Sequence, residues 1–351
     1  MHRRTFLLTA TAGVAGLTMG LPSRRARAAD RPFTFTSWGG ALSKAEEDAF
    51  IDPFGKLKNI KVVNTSPTET AKIKAMVQAG AVEWDLVDVG GRTVWQGADG
   101  GFLEKLDMSK IPNAKALDPK WVAPNGIATS TGATVIAWSK SAFKDAGPQS
   151  WADFWDVKRF PGPRGLYKYF YYNYEAALLA TGMKHDEIYP FTDEKAKTAL
   201  DKIKELKPHV SVWWGSGAQP PQLLTSGELA MSSAWSGRVL AAVAENAPVG
   251  YTYNDGIAWA NWWVIPKGSP YADLAQEAIN FALAPEQQEK LLDLKTYGPI
   301  LSSVAEKADP ETKKILVMAP ENIKNMLIIN ERDAGTYMTS YAEKWNELML
   351  Q

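Results

Sequence analysis

Phe33 and Phe35 alternate with Thr34 and Thr36, so one face is apolar and the other polar. That period of two predicts a β-strand over 31–37. Trp38-Gly39-Gly40 follows as a turn, and 42–54 repeats at helical spacing. The same alternation continues with a strand at 60–63 and a helix at 68–79, with Thr68 or Thr70 as its cap. A strand at 84–89 follows, then Gly90-Gly91-Arg92, and a turn with a short strand at 100–106. Strands alternating with helices predict a mostly parallel sheet, with ligand loops at the strands' C-terminal ends.

Beyond residue 130 the pattern resumes. Residues 132–138 form an apolar strand. Ser150 caps a helix, with Asp153 at the reciprocal position of a capping box. A run of aromatics, Tyr169-Phe170-Tyr171-Tyr172, leads into a helix at 175–182. Helices at 191–206, 220–226 and 237–246 enclose strands at 211–217 and 230–235. The stretch 250–268 carries Tyr251, Tyr253, Trp259, Trp262 and Trp263, and ends in the strand Trp263-Val264-Ile265-Pro266. Taken alone, an aromatic loop entering a strand reads first as core, with the wall of a ligand pocket as the alternative. Trp262 and Trp263 are adjacent and must point to opposite faces. Helices at 273–283 and 285–292, a turn at Tyr297-Gly298-Pro299 and a last helix holding Trp345 complete the chain.

The length of 351 residues exceeds what one core organises, which predicts two lobes. Extended segments near 133–138 and 262–266 are the expected crossovers between them. The lobes are expected at 31–136 with 262–300, and at 137–261 with 301–351.

Fourteen Trp is a surplus and suits a site that stacks on rings or cations. Trp84, Trp151, Trp155 and Trp345 read as core, and His185 and His209 as surface residues. The balanced formal charge hides an asymmetry: residues 1–28 hold five Arg and no acid. Without them 34 basic face 39 acidic residues, a net of −5, which argues against a nucleic-acid partner. There is no Cys, so disulfides and thiolate chemistry are excluded. Residues 1–28 read as a cleaved export signal. Arg3 and Arg4 precede an apolar segment, and Ala26-Arg27-Ala28 fits a cleavage site. The paired Arg suggest the twin-arginine route, with a general secretory signal as the alternative. Either leads to the periplasm.

Several segments together resemble the periplasmic solute-binding proteins of bacterial ABC importers, in the spermidine/putrescine-binding branch. They are Phe35-Thr-Ser-Trp-Gly-Gly-Ala41, Trp84-Asp-Leu-Val-Asp-Val89, Ser150-Trp-Ala-Asp-Phe-Trp155, Trp214-Gly-Ser-Gly-Ala-Gln219, Ser233-Ala-Trp-Ser-Gly-Arg238, Trp263-Val-Ile-Pro-Lys-Gly268 and Thr296-Tyr-Gly-Pro299. The resemblance implies an α/β fold of two lobes (the type II binding-protein fold) that closes on a solute by hinge motion. It also implies a monomer that hands its solute to a membrane permease, with no cofactor, no metal and no catalysis.

The resemblance also implies site residues. Trp38 and Gly39 match the first pocket loop, and Arg92 falls in the loop after the third strand. Tyr169 and Tyr172 stand where polyamine binders carry acids. Trp235, Trp259 and Tyr297 match pocket aromatics, and Asn261 replaces an Asp. A protonated amine held in a closed cleft needs carboxylates, and these matches supply an Arg instead. The expectation is a flat, carboxylate-bearing or quaternary-amine solute, with Asp88 and Asp255 as acids that could restore amine binding. Two other function classes fit the same fold: a periplasmic enzyme, opposed by the missing catalytic motifs, and a binding protein coupled to a chemoreceptor.

Overall fold

The computed structural model describes residues 31–144, 146–294 and 297–350. The expected export signal lies outside them. Eleven strands make one sheet: β1 Phe33–Thr36, β2 Val62–Thr65, β3 Leu86–Gly90, β4 Val122–Ala123, β5 Gly126–Ser139, β6 Arg164–Tyr167, β7 Val210–Trp214, β8 Met231–Trp235, β9 Val249–Val264, β10 Gly298–Pro299 and β11 Leu327–Ile328. Their main order is β2-β1-β3-β9-β5-β8-β6-β7. At one end β2, β1 and β3 run parallel. At the other end β8, β6 and β7 do. Between the two ends, β9 and β5 form a long antiparallel ribbon, from the pair Ile127–Trp263 to the pair Ser139–Val249. Each end is the expected α/β unit, while the sheet as a whole is mixed.

The ribbon passes from one hydrophobic core to another. Ile127 and Ala128 of β5 and Ala260, Trp262, Trp263 and Val264 of β9 pack with β1, β3 and their helices. The segment from Leu301 to Ala319 packs there too. Ile136, Trp138, Ile257 and Trp259 pack into a second core, and Ala133, Val135 and Ala258 into a third beside it. Trp262 meets Trp121, whereas Trp263 meets Phe35 and Phe50, which realises the opposite facing expected of neighbours. Trp84, Trp151, Trp155 and Trp345 are all buried.

At the change of core the strand β5 is polar. Thr129, Ser130 and Thr131 are buried, and β5 begins earlier than its apolar run because two of these hydroxyls and a carbonyl find partners. Ser130 accepts from Asn261, Thr131 donates to the Gly298 carbonyl, and the Thr129 carbonyl accepts from Gln288. Buried polar groups so paired cost little.

Some local expectations are corrected. Neither Thr68 nor Thr70 caps its helix: Glu69 holds the cap position without a side-chain bond, and the Thr70 hydroxyl pairs with Thr93 at 2.8 Å. The second strand sits two residues later than its apolar pattern, because β2 takes its register from β1. The short strand at 100–106 is a single bridge between Leu103 and Pro266. Ser150 caps as expected, accepting from the Asp153 N–H at 3.0 Å, but the Asp153 carboxylate reaches the N–H of Gln149. Its side chain is one carbon shorter than the Glu of a capping box. Among the described residues no helix is long and apolar enough to cross a membrane.

Candidate ligand-binding site

The polar crossing of the ribbon forms the floor of the site. Gly132 lies opposite Trp259 in the ladder. A Cβ on Gly132 would come within 2.4 Å of the Trp259 ring, so the indole lies against bare backbone. Its Nε1 donates to the Thr134 hydroxyl at 3.3 Å. Two positions along, Asn261 donates to Ser130 at 2.9 Å and is buried.

Aromatic rings continue from this floor. Trp259 meets Tyr172 at 6.3 Å, Tyr172 meets Tyr167 at 6.1 Å, and Tyr167 meets Trp235 at 5.8 Å. Ring contacts at these distances are favourable. The tract that carries the tyrosines is set by Asn173, whose Nδ2 donates to the carbonyls of Tyr167 and Tyr169, both at 2.7 Å. Tyr172 itself has a φ of 67°, which is rare for a bulky residue and is a form of strain found at functional sites. Within the tract the roles diverge. Phe170 is core, and Tyr169 is 44% exposed beyond Tyr167. Tyr171 packs on Tyr172 at 4.2 Å.

A charged group stands beyond each end of this run. At the Trp259 and Tyr172 end lies Glu331, the first residue of helix Glu331–Ser340. The Tyr171 hydroxyl donates to its carboxylate. A Cβ on Gly91 would sit 2.5 Å from its carboxyl carbon, so only glycine lets the chain after β3 pass this close. Glu331 is buried, and burial pushes its carboxyl up to about 8 against the opposing pull of Tyr171 and Arg92. At the Trp235 end lies Arg238, half-buried. It donates to the Gly39 carbonyl at 3.1 Å, and its Nε is buried without a partner. Gly39 and Gly40 have φ of 83° and 63°, and a side chain on Gly40 would strike the guanidinium. The first loop is therefore shaped around Arg238, and the contact joins the two ends of the sheet.

The structure thus brings Tyr172, Trp235, Trp259 and Asn261 together, with Arg92 beside Glu331 and Gly39 against Arg238. Trp38 is 42% exposed on the first loop, and Tyr169 is peripheral. Tyr297 is buried, and burial lifts its hydroxyl to about 12 despite the nearby Arg238. Sequence reasoning missed Tyr167, Tyr171, Arg238 and Glu331. Arg238 stood at the end of a quoted segment, whereas nothing local marks Glu331. Asp255 stands away from this site: it bonds His185 at 3.2 Å, and both line a surface hollow with Leu179 and Met183. Two surface hollows, of about 380 and 520 Å3, are lined by none of the site residues. Among the described residues no group of three or more His, Cys, Asp or Glu could hold a metal ion.

Comparison with known proteins identifies the family of this fold. The family described as bacterial extracellular solute-binding protein matches residues 49–319. A gamma-aminobutyric acid-binding protein of Pseudomonas aeruginosa is 36% identical over 85% of each chain. Spermidine/putrescine-binding periplasmic protein 1 of Haemophilus influenzae is 29% identical over 75% of this chain and 74% of its own. The crystal structure of an ABC transporter substrate-binding protein from Bradyrhizobium japonicum USDA 110 superposes with a TM-score of 0.85 at 36% identity. That match covers 90% of this chain and 99% of the other. The chain therefore belongs to the bacterial extracellular solute-binding family, whose members capture a small solute for import by an ABC transporter.

Proposed function

We propose that the solute is a small zwitterion, an amino-acid-like molecule with separated ammonium and carboxylate ends and a short apolar body. One observation carries this reading: an acid, Glu331, and a base, Arg238, stand at opposite ends of the aromatic run from Trp259 to Trp235. The acid that the family resemblance implies at position 261, where this chain has Asn, is supplied from a distant segment. A guanidinium with a free buried N–H suits a carboxylate. A buried carboxyl ringed by tyrosines suits an ammonium group. The name of the Pseudomonas relative, a binder of gamma-aminobutyric acid, fits such a solute.

In this reading Tyr172, Trp235 and Trp259 are the walls, and Trp38, Gly39, Arg92, Asn261 and Tyr297 complete the enclosure, with Tyr169 at its rim. The two lobes meet at the polar crossing of β5 and β9. The protein acts in the periplasm as a monomer, without catalysis, and delivers its solute to an inner-membrane permease.

Thermal unfolding in the presence of ω-amino acids of graded length, putrescine, α-amino acids, aromatic acids and betaines tests the reading. An ω-amino acid at about 100 times its Kd should stabilise the fold by about 2.7 kcal/mol. Stabilisation by putrescine alone, or by no compound, would overturn it.

A further inference from the structure

Two buried carboxyl groups, Glu46 and Asp88, stand beside the site and outside its aromatic run. Glu46 ends the helix Gly40–Glu46 that follows the first loop. Asp88 lies on β3 directly opposite Trp263 of β9. Opposed residues project from the same face of a sheet, so Asp88 and the Trp263 ring share the face that this helix covers.

The two acids are not equivalent. Both oxygens of Glu46 are occupied: one accepts from Trp263 Nε1 at 2.9 Å, the other from the Ser37 hydroxyl at 2.5 Å. Asp88 is completely buried, and neither of its oxygens has a partner in hydrogen-bonding geometry. Ser37 and Trp38 lie near enough to favour its ionised form slightly. The other titratable groups facing the pair are Glu47, next to Glu46 in the chain, and Tyr297. Tyr297 in turn feels Arg238, which is bonded to the Gly39 carbonyl.

A buried carboxylate with no donor is far costlier than a buried carboxylic acid. As an acid, Asp88 gains an O–H of its own. Glu46 is the adjacent acceptor, and an ionised carboxylate can accept about four hydrogen bonds, of which two are used here. Burial raises both carboxyls, and for Asp88 the Glu46 charge adds to that rise.

We propose that Asp88 is protonated and donates to ionised Glu46, and that this acid pair positions the loop Ser37–Gly40. Glu46 holds Ser37 through its second oxygen, and Ser37 is followed at once by Trp38 and by the Gly39 carbonyl that Arg238 takes. Loss of the Asp88 proton would set two carboxylates side by side. The strain is relieved by lifting the loop, which frees Arg238 and moves Trp38 away from the site. Burial lifts Glu46 to about 7, so the singly protonated pair, and with it the held loop, belongs to near-neutral pH and is lost at alkaline pH. Its effect on solute rests on the reading that Trp38 faces the cleft, whereas the shared proton does not.

The test uses the solute-free protein, so it is independent of the ligand's identity. Infrared spectra of the wild type at neutral pH should show a protonated-carboxyl component that is missing in Asp88→Asn, beside the one from Glu331 that both share. Thermal unfolding from about pH 5 to about pH 9 should show wild-type stability falling as pH rises. Asp88→Asn, whose amide donates to Glu46 at any pH, should have a smaller slope, keeping only the part that other raised carboxyls such as Glu331 contribute. In Glu46→Gln the amide can donate to Asp88, so Asp88 ionises and the same absorption disappears. This variant keeps the test open if Asp88→Asn does not fold. Absence of any absorption dependent on Asp88, or a slope in Asp88→Asn as steep as that of the wild type, would overturn the proposal.

Discussion

Asn261 and Glu331 are both buried at the point where the ribbon passes from one core to the other, and they reached it by different routes. Asn261 is placed by strand register: it faces Gly90 on one side and Ser130 on the other. Its amide is satisfied within the ribbon by Ser130. Glu331 arrives from the start of a C-terminal helix, and its carboxyl is held by a tyrosine 160 positions earlier in the chain, Tyr171. A residue whose polar group is already paired in the scaffold has little left to offer a solute. A buried acid kept largely in its neutral form by its surroundings has a charge to give. In the proposed reading, the acid of the site comes from a distant helix rather than from the strand that carries Asn261.

The largest expected effect distinguishes the two directly. Glu331→Gln keeps the shape and the tyrosine contact but removes the charge. It should weaken binding of an amine-bearing solute by roughly 3 kcal/mol, the scale for losing one member of a buried charge pair. Calorimetric titration reads this. Asn261→Ala loses one hydrogen bond and should cost about 1 kcal/mol. A larger loss in Asn261→Ala than in Glu331→Gln would reverse the comparison.

Between these extremes lies the wall they share. Trp259→Ala should weaken binding by roughly 1–3 kcal/mol through lost burial and stacking. Unchanged affinity would assign Trp259 to the core alone. Gly132→Ala pushes a methyl into the same indole and should lower stability by roughly 1–3 kcal/mol. Thermal unfolding and the near-ultraviolet signal of Trp259 would report it.

The smallest effect is a proton count. Burial sets Glu331 at about 8, so near neutral pH the empty site holds its proton. An incoming ammonium favours the ionised form, and binding should release a fraction of a proton. Titrations in buffers of different ionisation heat would measure this release, and Glu331→Gln should abolish it. The same raised value makes the folded form bind the proton more tightly than the unfolded chain. Stability from this group is full below the ordinary carboxylate range and is lost as pH rises through about 8. Unfolding of the Gln variant should lack that component.

Much of the frame was legible beforehand. The alternation at Phe33–Thr36, the Ser150 cap and the buried Trp84, Trp151, Trp155 and Trp345 follow from local pattern. Local chemistry failed where a partner lay far along the chain. Thr70 has a capping side chain, yet its hydroxyl pairs with Thr93. His185 is followed directly by Asp186 and Glu187, yet it bonds Asp255, seventy positions away. The polar run Thr129–Thr131 resembles a loop until its partners Asn261, Gly298 and Gln288 are known.

By itself the sequence determined the α/β order of elements, the two parallel ends, and which aromatics were available to line a cleft. Those are consequences of periodicity and turn chemistry over a few residues. Only the tertiary structure decided which of them share one site. It set Trp259 flat on Gly132, ran the rings through Tyr167 to Trp235, and brought Glu331 and Arg238 to opposite ends. The physical reason is that burial and neighbouring charge, which set the chemistry of a carboxyl or a guanidinium, are supplied by segments a hundred or more residues apart.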